Sequence, residues 1–479
     1  MQNKKQQPGG APSNNNPDGT PSNQSSSSVT HTGTTELTSD ASLSSQTYSS
    51  TNSAENALLV KNATITLENP TITKSGDDSG DNSDFYGTNA AVFAYDNATL
   101  NITGGTITTD GSHANAVFAY DSGTINIVDT SITTNSNNSG GIMVTGGGTL
   151  NATNLTVETS GNSSAPIRSD RGGGTIAVEG GSYTSSGTGS PAIYSTADIT
   201  VKNSTLTATA SEGIVIEGLN SVTLENTTIN DTNNQLNGNS ETYKNIFIYQ
   251  SMSGDAETGT GTFTAKNSTF ITNQGDHFFI TNTTAIINLE NNKFINNDST
   301  GIFLRAQSGK WGTSGSNGGK VTLNATSQEI IGDITIDSIS SLDLNLTNSY
   351  AKSAFTGEGT INLTLDSASI VVLTSDSYVT SLNNATTDNS NIYANGYKLY
   401  VNGAEVSINQ AAAPESFLSD GTEVVTIEET ETITTTNSNT SNAAIPIIIS
   451  CVVGGILTIA IIIAVIIKLK KSKAGNDQN

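Results

Sequence analysis

The chain has 479 residues, a formal net charge of −24, 13% charged and 5% aromatic residues, and one cysteine. So large an acidic excess weighs against nucleic-acid recognition, which needs clustered Lys and Arg, and no nucleic-acid partner is expected. The lone Cys451 excludes an internal disulfide and a CxxC metal site. With 46 Gly against 9 Pro and a background of Asn, Thr and Ser, the composition disfavours helix interiors and suits polar-faced strands joined by turns.

Residues 1–56 are rich in Ser, Asn, Gln, Gly and Pro and are predicted to be a disordered, low-complexity leader. Met1 to Ser28 carries Lys4 and Lys5 but no apolar run, so it does not read as a signal peptide. Export of the remaining chain would then imply an incomplete N-terminus or a misassigned start codon. A cytosolic tail-anchored protein is the alternative.

From Ala57 the sequence repeats. AAVFAYDNATLNITGGTITTDGSH, NAVFAYDSGTINIVDTSITTNSNN and GGIMVTGGGTLNATNLTVETSGNS begin at Ala90, Asn115 and Gly140, a step of 25 residues. Each copy holds three short apolar–polar alternations parted by Gly, Asn, Asp or Ser, and period two means strands. Three strands in about 25 residues make one turn of a parallel β-helix, predicted over 57–407. The first-strand column Leu58, Val92, Val117, Ile142, Ile167, Ile193, Ile214, Ile246, Phe278, Ile302 is apolar throughout and is assigned inward. The next column includes Arg168, whose unpaired burial would be costly, and is assigned outward. The third strand contributes Ile107, Ile132, Leu155 and Leu206 to the core. Three residues before each of these lies a column including Asn69, Gly104, Asp129, Ala152, Asn203 and Asn226, read as an asparagine ladder at a tight corner.

Three features of this region bear on function. The outward column carries Phe93, Tyr95, Phe118, Tyr120, Tyr194, Phe247 and Tyr249, read as an exposed aromatic face for stacking on glycan rings, or as aromatics stacked on each other beneath insertion loops. The loop after the first repeat places Asp77, Asp78, Asp81 and Asp84 within eight residues, a candidate Ca²⁺ site that matches no standard spacing, or simply a solvated acidic loop. Rows such as Thr106/Thr108, Ser131/Thr133, Ser182/Thr184 and Thr205/Thr207 flank the third-strand core position. They resemble those of ice-binding solenoids, although Thr is also an ordinary strand residue. No catalytic residue is assigned. None of His31, His113 and His277 precedes a Gly, and Arg168, Asp170 and Arg171 form the only Arg–acid constellation, read as a surface cluster at a turn.

Residues 408–444 are Thr- and Glu-rich and read as a stalk. Ile445 to Ile467 is 23 uncharged residues, about 34 Å as a helix and enough to cross a bilayer. Lys468, Lys470, Lys471 and Lys473 come next, which places the 468–479 tail in the cytoplasm and the β-helix outside.

NAVFAYDSGTINI, IRSDRGGGTI, PAIYSTADITVKNSTL and the C-terminal apolar segment together resemble the right-handed parallel β-helix, adhesin-like surface proteins of low-GC gut bacteria and methanogens. The resemblance covers about residues 57–405. It implies an all-β, right-handed parallel β-helix with one C-terminal transmembrane helix, held at the cell membrane and displayed outside. Adhesion to glycans or surface proteins is the expected role, with a pectate-lyase-like carbohydrate-active enzyme as the alternative.

Overall fold

The structure, a computed structural model, describes residues 29–416 apart from 238, 239 and 241. Alternating apolar residues cannot bury their face within one turn, so the chain coils and stacks each strand on its counterpart one turn later. Val92–Tyr95, Thr99–Thr103 and Thr106–Thr109 form one such turn. First strands build a 13-stranded sheet; second and third strands, continuous in Gly148–Thr159 and Gly174–Ser185, build a 22-stranded one. Among the described strands every pairing is parallel except Leu399–Val401 with Ala404–Glu405.

The register Val92, Val117, Ile142, Ile167, Ile193, Ile214, Ile246, Phe278 runs unbroken along the first sheet, and all these side chains lie in the main core. Each such burial contributes roughly 1.5–3 kcal/mol before entropy is charged against it. One turn later the column passes to Leu304 rather than Ile302, so Arg305 and not Phe303 takes the outward place, and Phe303 packs inward. In the third strand Ile132 pairs with Val157, not Leu155.

That shift moves the corner column by two residues. Its member in this turn is Asn154, not Ala152. Asn69, Asp129, Asn154, Asn203, Asn226, Asn267 and Asn291 all have φ between 48° and 52°. A left-handed residue here turns the chain from second to third strand, and Asn tolerates it better than other side-chain-bearing residues. The amides also bond from turn to turn: Asn154 Nδ2 donates to Asp129 Oδ1 at 2.6 Å, and Asn291 Nδ2 to Asn267 Oδ1 at 2.8 Å.

The solenoid starts earlier than the sequence composition implied. Gly33–Leu37, Ala41–Ser44 and Thr47–Ser50 form a full turn beneath Asn56–Lys61 and its successors. The leader reading fails over this stretch because Leu37, Ala41, Leu43 and Tyr48 supply the same inward alternation with few apolar residues. At the other end Ile408 is buried and Asn409 bridges to Tyr393, so the solenoid runs slightly past 407. The rest of the predicted stalk beyond 416, the Ile445–Ile467 segment and the lysine tail lie outside the described residues. No helix among the described residues is long and apolar enough to cross a membrane.

Candidate functional site

The outward face of the first sheet is not exposed. Leu59, Phe93, Phe118 and Met143 form a second small core, and Val215, Phe247, Tyr249 and Phe279 a third, both distinct from the solenoid interior. The parity assigned from sequence is right, because these residues point away from the main core. The exposed aromatic face is not, because insertions from other turns lie over it.

The first patch is covered from the N-terminal side. The His31 ring stacks on Phe93 with centroids 4.6 Å apart, and its Nε2 lies 2.7 Å from the Tyr86 carbonyl oxygen. Burial lowers the His31 pKa. Tyr86 ends a short helix, α1 (Asp81–Tyr86), the only α-helix among the described residues. Its closing residue, Gly87, has φ 71°, and a Cβ there would come within 2.5 Å of the Phe93 ring. The carbonyl of Phe85 accepts a 2.7 Å hydrogen bond from Thr145 Oγ1, which pins the helix across the sheet. Tyr95 and Tyr120 remain half-buried at the margin of this patch. The second patch is covered by Trp311, whose ring centroid lies 4.8 Å from that of Tyr249 and 5.6 Å from that of Phe247.

Between the two patches sits a seam of charge. Arg168, 6% exposed, donates from Nη2 to Asp170 Oδ2 at 3.1 Å and from Nη1 to the Ser163 carbonyl at 3.2 Å. Arg171 donates from Nε to Asp255 Oδ1 at 2.9 Å, approaches Asp81 at 3.8 Å, and places its guanidinium 3.8 Å from the centroid of the Phe85 ring. One side chain thus joins α1 to the loop after Tyr249. Glu217, 1% exposed, accepts from Tyr194 Oη at 2.8 Å and from both the backbone N–H and the hydroxyl of Ser251. Asp255 also accepts from Ser253 Oγ at 2.8 Å.

Burial dominates the electrostatics of this seam. It pushes the Asp170 carboxyl up to about 7 against the opposing pull of Arg168, and the nearby Asp255 pushes the same way. Burial also raises Glu217, opposed by its bonds from Ser251 and Tyr194. The Tyr194 and Tyr249 phenols are pushed up by burial and by the Glu217 carboxylate. The reading of Arg168, Asp170 and Arg171 as a surface turn is therefore corrected. They form the floor of a closed polar seam, and Glu217, Asp255, Ser251 and Ser253 complete it. No sequence pattern joined these residues, since Asp255 reaches Arg171 from 84 positions away.

The four carboxylates offered as a Ca²⁺ site do not converge. Asp77 accepts from the Ser112 N–H at 2.8 Å, Asp78 bonds Ser53 and Ser83, Asp81 faces Arg171, and Asp84 lies 2.8 Å from His113 Nδ1. Each is taken up in tying the insertion to its neighbours. Among the described residues no group of three or more His, Cys, Asp or Glu is placed to hold a metal ion.

A family model described as the right handed beta helix region matches residues 141–325. The match and the parallel stacking together define the described chain as a right-handed parallel β-helix, an all-β solenoid. No curated protein and no solved structure matches the chain.

Proposed function

We propose that the protein is a membrane-anchored surface protein whose β-helix binds extracellular glycans without cleaving them. The observation that carries this reading is the closure of the polar seam. Asp170, Glu217 and Asp255 are buried, and each is held by a fixed partner where α1 and the loop 250–258 meet over the first sheet. Acid–base cleavage of a sugar polymer needs carboxyl groups that reach the scissile bond. Here that chemistry is shut in while the long polar faces of the 22-stranded sheet stay open to solvent. The uncharged 445–467 segment and the four lysines after it support anchoring with the β-helix outside. Protease added to intact cells should release the β-helix and leave the lysine tail behind. A glycan array probed with the full chain in detergent should report binding; protection from protease together with a blank array would contradict the reading.

One observation favours a second reading. Asp170, pushed up to about 7, and Glu217, also raised by burial, both lie near the Asp255 carboxylate, and raised carboxyls gathered in one seam are the kind of groups that run acid–base catalysis near neutral pH. Opening of the loop 250–258 would free Glu217 from Ser251. Turnover lost on Asp170→Asn would identify the seam as an active site.

A further inference from the structure

Two columns of side chains flank the third-strand core position and face away from the core. The first runs in unbroken register from Thr47 to Thr269, and every residue in it is Ser or Thr. The second, two residues further along each strand, carries Thr73, Thr108, Thr133, Thr184 and Thr207, interrupted by Glu158. Successive ranks are one strand spacing apart, about 4.8 Å.

These hydroxyls differ from the other polar ladders of the molecule. On the second strands, Asn126 Nδ2 donates to Asn101 Oδ1 at 2.8 Å and Asn151 Nδ2 to Asn126 Oδ1 at 2.9 Å, so those amides are used within the protein. By contrast, Thr71, Thr106, Ser131, Thr156, Ser182 and Thr205 are exposed, and among the described residues their hydroxyls bond to no protein group. The array is also nearly free of charge. From Thr71 to Thr228 in one column and Thr73 to Asn230 in the other, Glu158 is the only ionisable residue, in a chain of net charge −24. An acidic polymer would be repelled by such a chain, whereas a neutral polyol would not.

We propose that this hydroxyl array is the glycan-binding face, and that its ligand is a neutral, insoluble polysaccharide presenting its own hydroxyls in a repeating array. The proposal rests on the glycan-binding reading above and names the surface and ligand class for it. One hydroxyl pair exchanges a water contact for a sugar contact and gains little. Many pairs held in one register on a rigid sheet act together, since the solenoid has already fixed their positions. The second column's carboxylate at Glu158 can accept from paired sugar hydroxyls. An ordered-water lattice is less well matched to it, because a charge in mid-array holds its own hydration.

Depletion of the full chain from solution by microcrystalline cellulose and by chitin powder tests this, with pectin gel as the acidic control. The triple variant Thr106→Val, Thr156→Val, Thr205→Val keeps the β-branched shape and removes three hydroxyls. It should keep the wild-type melting curve and lose at least tenfold in retention on the neutral solids. Tyr378→Ala with Tyr397→Ala, at two exposed tyrosines near the C-terminal end, should retain wild-type binding. Wild-type retention undiminished in the triple variant would overturn the assignment of the face while leaving glycan binding intact. Stronger retention on pectin than on the neutral solids would overturn the ligand class. Inhibition of ice recrystallisation with no retention on either neutral solid would overturn it in favour of ordered water. Binding to no glycan at all would remove the reading on which the proposal rests.

Discussion

Arg171 Nε and Asp255 Oδ1 meet at 2.9 Å across 84 positions of sequence, with Arg171 also lying against the Phe85 ring. The contact fastens two insertions, α1 and the loop 250–258, to one another above the first sheet. Asp255 is buried, so removing its partner leaves a desolvated charge unpaired. Arg171→Ala should therefore destabilise by about 2–4 kcal/mol, below the upper end for buried pairs because Arg171 is itself partly exposed. Limited proteolysis should cut the variant first in the loop 250–258, while its far-UV circular dichroism stays that of the wild type.

Ile193→Asp places a charge in the middle of the inward column. Several kcal/mol are lost, of the order expected when an isolated charge enters an apolar interior. Thermal unfolding should lose its cooperativity, or the protein should fail to accumulate. Unchanged melting would contradict the inward assignment.

At the corner, Asn154 combines φ 52° with the bond to Asp129. Asn154→Ala keeps the Cβ in a left-handed conformation but loses both that bond and the polar side chain that makes the conformation tolerable, together about 2 kcal/mol. Asn154→Gly relieves the strain and should cost about half as much, read from chemical-denaturation midpoints.

Two buried groups set opposite pH limits. Asp170 has its pKa raised by burial from 3.8 to about 7, so the folded state holds its proton more tightly than the unfolded chain. The stability this contributes is full below pH 4, falls as pH rises, and is gone above pH 7. His277, lowered by burial from 6.5 to about 3 and bonded through Nδ1 to Thr272 Oγ1 at 2.7 Å, works the other way. Its contribution is full above pH 6.5 and is lost as pH falls towards 3. Asp170→Asn should flatten the decline between pH 4 and 7, and His277→Asn should flatten the acid limb, both measured as melting temperature against pH.

The solenoid was legible because its signal is repeated. The column from Val92 to Phe278 keeps one parity over eight turns, and a single Arg168 in the neighbouring column settles which faces inward. The register slips at Leu155/Val157 and Ile302/Leu304 occurred where two apolar residues lie two positions apart, so alternation alone admits either choice. The first turn was hidden because residues 33–50 bury only partly apolar strands in a Ser- and Thr-rich stretch. The site was hidden for a different reason. Nothing local to Phe93 or Arg168 reveals that His31, α1 and the loop 250–258 will lie over them. Covering by a distant insertion is a property of tertiary contact, and it turned an expected exposed aromatic face into two small buried cores.

The central claim is binding of glycans without cleavage, and the most direct test measures both on the same sample. The full chain is incubated with neutral and acidic polysaccharides, with and without Ca²⁺. Retention is measured by depletion, and cleavage by new reducing ends and by the absorbance of unsaturated uronide. Retention on a polysaccharide is expected, with no product above the protein-free control at any pH between 4 and 8. Product that accumulates with time and is abolished by Asp170→Asn or Glu217→Gln would contradict the claim and make the buried seam an active site.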